Sequence, residues 1–211
     1  MVGILGFIKK GGFLMYPMII ICIGAFVLII ERWVFITKSI NKNEKLSGDV
    51  LEKLESDSIK EAKAICENSD SSVSKVLLEG LNYYEMDEDI MEKIMDESIL
   101  EEIPKSERFL PIIAVIASML PMLGLLGTVA GMISLFDAIS IGGTGDPNLF
   151  AGGISIALIT TETGLMFALP IMFFHTIITY KSNKLIGEME IEAKKLLNYK
   201  IVSTRGKNGK F

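Results

Sequence analysis

The sequence predicts an all-α integral membrane protein with three transmembrane helices and long cytoplasmic helical extensions. Three observations predict it. The 211 residues are 50% hydrophobic and 22% charged, too apolar for an ordinary soluble domain and too charged for membrane helices alone. The charges are segregated, and Phe13–Ile30, Phe109–Phe136 and Leu149–Tyr180 run to 18, 28 and 32 residues with Glu162 as their one charged residue. A bilayer core about 30 Å thick needs roughly 20 helical residues, so each run is long enough to cross, and the longer two are expected to project beyond the membrane.

Taken in order, residues 1–12 carry Val2, Ile4, Leu5, Phe7 and Ile8 and read as an amphipathic segment on the outer surface. Residues 13–36 form the first span. Lys9 and Lys10 precede it as in a signal peptide, but Glu31, Arg32 and Trp33 stand where a small-residue cleavage site would be, so a retained helix is expected. Residues 37–108 are an acidic helical insert with 10 Lys/Arg against 19 Asp/Glu, a net of −9. That charge repels phosphate and excludes nucleic acid as a partner. Val73, Val76, Leu77, Leu81 and Tyr84 give one helical pattern; Ile90, Met91, Ile94, Met95 and Ile99 give another, which Pro104 is expected to end.

The second span covers 109–136, an outer loop covers 137–152, and the third span covers 153–180. The loop's Gly142–Asn148 stretch reads GGTGDPN and lacks the GK[ST] of a phosphate-binding loop, so it is read as a turn. Residues 181–211 continue as a C-terminal helix with the stripe Leu185, Met189, Ala193, Leu196 and Leu197. A basic tail follows, suited to anionic lipid headgroups. Lys9 and Lys10 precede the first span, but the larger share of Lys and Arg follows the first and third spans and the 137–148 loop has none, which predicts an outside N-terminus and a cytoplasmic C-terminus in a multi-pass protein; a bacterial-type cytoplasmic (inner) membrane is the expected location. Cys22 and Cys66 form no CxxC pair, and neither a disulfide nor a metal site is expected. No nucleophile set is visible, so no enzyme activity and no cofactor are expected.

The second and third spans hold unusual residues for membrane anchors. Gly124, Gly127, Thr128 and Gly131 lie in the second, with Gly127 and Gly131 forming a GxxxG pair. Gly153, Ala157, Thr161, Gly164 and Ala168 step by three and four along the third and predict one small-residue face, after which Pro170 predicts a kink. Counted from Asp137 and Gly152, Thr128 and Thr161 are each nine residues in, about 14 Å, which predicts two hydroxyls at one level near mid-membrane. They read either as helix-packing groups bonded to their own carbonyls or as part of a polar ring in an oligomer. Glu162 is a costly intramembrane carboxylate, read as a proton relay or as a hydrogen bond to a neighbouring helix. His175 reads as a proton-passing group or as an interfacial anchor.

These residues carry a resemblance. Leu120–Met132, reading LPMLGLLGTVAGM and continuing to Phe136, resembles the second-helix signature of the MotA/TolQ/ExbB proton channel family. Gly153–Pro170, reading GISIALITTETGLMFALP, resembles its third-helix signature. The length and span count are closest to ExbB and TolQ. The resemblance implies a homo-oligomer, a pentamer, with second and third helices around a central pore. A dimer of an ExbD- or TolR-like single-span protein, carrying a proton-accepting aspartate, would occupy it, and a TonB-like protein is a further partner of the ExbB type. It implies protons as the transported ion and maps the pore-lining threonines to Thr128 and Thr161. Proton motive force would then do mechanical work on envelope machinery. ExbB and TolQ carry Glu where this chain has Ile156, and Glu162 lies six residues later, so the family's carboxylate network does not transfer. A TolQ-like role in envelope maintenance and a non-conducting scaffold are the alternatives to an ExbB-type stator.

Overall fold

A computed structural model describes residues 11–56, 58–142 and 147–207. Its described residues form helices α1 (Met15–Glu55), α2 (Ile59–Glu67), α3 (Ser72–Asn82), α4 (Glu88–Glu107), α5 (Leu110–Gly142) and α6 (Pro147–Lys207), with no strand among them. Three of the helices are long and apolar enough to cross a membrane. Most of the amphipathic segment, residues 1–10, lies outside the described residues, as do 143–146 of the outer loop and 208–211 of the basic tail.

The helices run further than their sequence boundaries. α5 enters the 137–152 stretch from one side and α6 from the other, leaving 143–146 to connect them. α4 continues through Pro104 to Glu107, so proline does not end it. A proline removes one backbone donor, and the helix stops where Phe109 takes a φ of 68°, a left-handed conformation that breaks the ladder. α6 likewise continues through Pro170.

α1 passes the expected limit of its span at residue 36 and reaches Glu55. Its buried side is a run of alternating three- and four-residue steps through Met15, Met18, Cys22, Ala25, Ile29, Arg32, Ile36, Ser39, Asn43, Leu46 and Val50. Such a 3.5-residue repeat keeps one helix face against its neighbours over many turns. The opposite side exposes Phe13, Tyr16, Ile20, Ile23, Val27, Ile30 and Val34 in the same rhythm, a continuous apolar stripe suited to lipid.

The chain divides into two compact units. The first joins α1 up to Glu31 with Phe109–Ile177. The second joins Arg32–Arg108 with the chain from Ile178 onward. In the second unit Leu46, Val50 and Leu54 of α1 share a core with Val73, Val76, Leu77 and Leu81 of α3, Met91, Met95 and Ile99 of α4, and Met189, Ala193, Leu196 and Leu197 of α6. Full burial of such a side chain contributes about 1.5–3 kcal/mol. Ser71 caps α3 through a reciprocal pair of bonds with Ser74.

Polar ties fix the register in this unit. Lys181 Nζ lies 3.8 Å from the centroid of the Trp33 ring and donates to Thr37 Oγ1 at 3.4 Å. Asn43 Nδ2 donates to Glu188 at 3.0 Å, and Ser47 donates to Glu192. The three partners are offset by 144 to 145 residues, so the two helices run parallel here. Arg32, 3% exposed, donates to the Lys105 carbonyl at 2.9 Å and anchors the end of α4. Buried Glu102 takes Lys105 at 2.5 Å and Lys75 at 3.6 Å. The hydrogen bond from Lys105 to Glu102 holds the ammonium above its usual range. Burial, aided by Glu67, pushes the Cys66 thiol up to about 11, so it is an inert core residue near neutral pH.

Candidate functional site

Close helix approach builds the site in the first unit. A methyl group at Gly131 would meet the Gly153 carbonyl at 3.0 Å and the Ala157 nitrogen at 3.1 Å. One at Gly124 would meet the Thr160 carbonyl and Thr161 Cα, each at 3.0 Å, and one at Gly164 would meet the Leu120 carbonyl at 2.6 Å. Falling numbers on α5 pair with rising numbers on α6, so the two form an antiparallel hairpin with backbones nearly touching. The GxxxG pair and Gly124 supply the space on one helix; Gly153, Ala157 and Gly164 supply it on the other.

The small-residue face of α6 differs at one position from the expected one. Gly153, Ala157, Gly164 and Ala168 are buried, but Thr160, at 0% exposure, takes the place assigned to Thr161. Gly127 packs directly on the Thr160 side chain. Both threonines satisfy the four-and-three spacing, so the sequence alone does not separate them.

α1 lies on one flank of this hairpin. Met18 approaches Gly164, and Gly11 and Gly12 approach Ile159 and Ile156. At about 100° per residue, Ile156 lies some 80° from Gly164 toward α1, whereas Thr161 lies some 60° the other way. Ile156, at the family's carboxylate position, therefore packs against the start of α1 in an apolar setting. On α5, Thr128 is turned about 40° from Gly124 in ascending sequence direction. Because α5 and α6 are antiparallel, ascending turns on both lead to the same flank. Thr128 and Thr161, each half-buried, thus share the flank facing away from α1.

Their hydroxyl protons are already engaged. Thr161 Oγ1 donates across the hairpin to the Gly124 carbonyl at 3.1 Å. Thr128 Oγ1 donates to the Leu125 carbonyl of its own helix at 2.6 Å. Thr160 donates to the Ile156 and Ala157 carbonyls at 3.0 Å, and Thr163 to the Ile159 carbonyl at 2.7 Å. Neither wholly local packing nor direct contact between the two hydroxyls describes this pair. Thr161 is level with Gly124, and Thr128 is four residues, about 6 Å, further toward the C-terminal end of α5.

The start of α1 is level with Ile156 and Ile159, so Thr161 lies near that end of α1 and not at its middle.

Glu162 is exposed in the single chain. It lies about 160° around α6 from Gly164, among exposed Leu158, Leu165, Leu169 and Phe173. Lipid is a costly neighbour for a carboxyl group, so another helix or water must meet this face. Glu162→Gln is expected to retain activity and Glu162→Leu or Glu162→Lys to lose it, read as proton flux with assembly monitored by mass. Inactive Glu162→Gln in an intact assembly would identify a proton relay instead. His175 is half-buried, 14 residues or about 21 Å along α6 from Thr161. The structure therefore brings Thr128 and Thr161 to one flank and leaves Glu162 and His175 apart from them.

A protein-family model described as the MotA/TolQ/ExbB proton channel family matches residues 68–191. An ExbB homolog from Methanothermobacter thermautotrophicus, named a biopolymer transport protein, is 30% identical over 197 residues, covering 93% of this chain and 70% of the relative. An ExbB-like biopolymer transport protein from Synechocystis is 30% identical over 166 residues, covering 78% and 79%. The Tol-Pal system protein TolQ of Haemophilus influenzae is 33% identical over 91 residues, covering 43% and 40%.

Proposed function

The chain belongs to the MotA/TolQ/ExbB proton channel family, and on that premise we propose that it is an ExbB-type proton-channel stator subunit. Five copies close around a pore with their α5–α6 hairpins inward and α1 outward. An ExbD-like single-span dimer occupies the pore, and its carboxyl group carries the proton. The proton motive force then turns one component within the other and delivers work to envelope machinery, through a TonB-like protein where transport is driven. The N-terminus faces outward, and the acidic insert and C-terminal helix are cytoplasmic.

One observation carries the reading. Thr128 and Thr161 share the flank of the hairpin opposite α1, where a ring of hairpins places its lumen. A hydroxyl there offers a polar lining without a fixed charge, and small residues let the hairpins pack tightly. A TolQ-like role is supported by the shorter match to TolQ; the ExbB type is favoured because its relatives align over most of the chain. The test is the intact mass of the complex purified with its single-span partner. Five copies plus two partners are expected, and a partner-free species would contradict the reading.

A further inference from the structure

Resting on the stator reading, we propose that the Thr128 and Thr161 hydroxyls are wired as hydrogen-bond acceptors, so that the site recognises a carboxyl group only in its protonated, neutral form. Each hydroxyl has one proton and two lone pairs. Thr128 spends its proton on the Leu125 carbonyl and Thr161 on the Gly124 carbonyl. What each side chain can still offer the open flank is a lone pair. The backbone N–H groups of α5 and α6 at this level are taken by the helices themselves. A carboxylic acid brings one O–H and can donate it to either threonine. A carboxylate brings acceptors alone, and the site returns acceptors. To bind it, a threonine must give up an internal bond whose net worth is about 1 kcal/mol and leave a carbonyl unpaired.

No cation at the level of the two threonines offsets this preference. α5 has no titratable residue between Phe109 and Phe136. The third span contributes Glu162, about 100° around the helix from Thr161, and His175 and Tyr180, about 21 and 28 Å along it. The first span contributes Tyr16 and Cys22, on the opposite flank, and ends in Glu31 and Arg32, about 20 Å along α1 from Met18, where Arg32 donates to the Lys105 carbonyl. The carboxyl group therefore loads its proton before it reaches the threonines and releases it after it leaves them. Hydroxyls wired in this way act as a filter on protonation state, beyond a merely polar lining.

The experiment is proton flux against pH for the complex with its single-span partner in vesicles, with Thr128 varied. Thr128→Asn adds an N–H donor aimed at the same flank and supports the ionised form, so the midpoint of the profile moves to lower pH by about one unit. Thr128→Ser keeps the internal bond and gives the parental midpoint. Thr128→Val removes the acceptor and lowers flux. An unmoved midpoint in Thr128→Asn, with flux lowered in Thr128→Val, overturns the acceptor wiring and leaves the pathway standing. Unchanged flux in Thr128→Val overturns the wiring together with the stator reading on which it rests.

Discussion

Gly164→Ala separates α5 from α6 and destabilises the hairpin by about 1–3 kcal/mol, the usual cost of overpacking a close contact. The added methyl group would lie 2.6 Å from the Leu120 carbonyl, a backbone atom with no side chain to swing aside. Met18 closes the same space at 3.3 Å from another helix, so the strain cannot be relieved by rotating α6. Gly24→Ala is the matching control. Nothing in the chain lies within 4 Å of a methyl group there, and alanine is the better helix former by about 0.5–1 kcal/mol. Thermal melting of the purified assembly should rank the variants with Gly24→Ala at or above the parent and Gly164→Ala well below it. Equal melting would mean that the α5–α6 contact is looser than described.

The second large effect falls on conduction. Thr128→Val with Thr161→Val keeps side-chain shape and removes both hydroxyls. Two lost hydrogen bonds to a transferring proton carrier, each worth about 1–1.5 kcal/mol, lower partner-dependent flux about 30-fold or more. Assembly should survive. Thr128→Val gives up one bond within its own helix, and Thr161→Val gives up one bond to Gly124 while the glycine contacts remain. Each single variant should fall between parent and double variant. Flux that stays at the parental level with the assembly intact would remove both threonines from the pathway.

Much of the fold was legible because the apolar runs are long and the charges are segregated. The stripes Val73, Val76, Leu77 and Leu81 of α3, and Leu185, Met189, Ala193, Leu196 and Leu197 of α6, are buried as their spacing implies. The extension of α1 was hidden for a physical reason. Arg32, Ser39 and Asn43 occupy positions of its repeat where hydrophobic residues are expected; all three are buried, Arg32 on the Lys105 carbonyl and Asn43 on Glu188. A hydrophobicity pattern reads such positions as surface. Pro104 misled in the opposite direction, because a helix tolerates one missing donor when its end is held elsewhere, here by Arg32 on the Lys105 carbonyl.

The site divides in the same way. The small residues declared the close contact, and the glycines of both helices meet there. The choice between Thr160 and Thr161 was not legible, since it depends on a rotation of about 100° that spacing rules leave free. The direction of each hydroxyl proton is a tertiary property, set for Thr161 by a carbonyl 37 residues away.

The most direct test of the central claim is proton uptake into vesicles under a fixed gradient, with this chain alone, with its single-span partner, and with the partner plus the double valine variant. Full flux is expected only from the parental chain with its partner. Flux from the chain alone, or undiminished flux from the double valine variant, would contradict it.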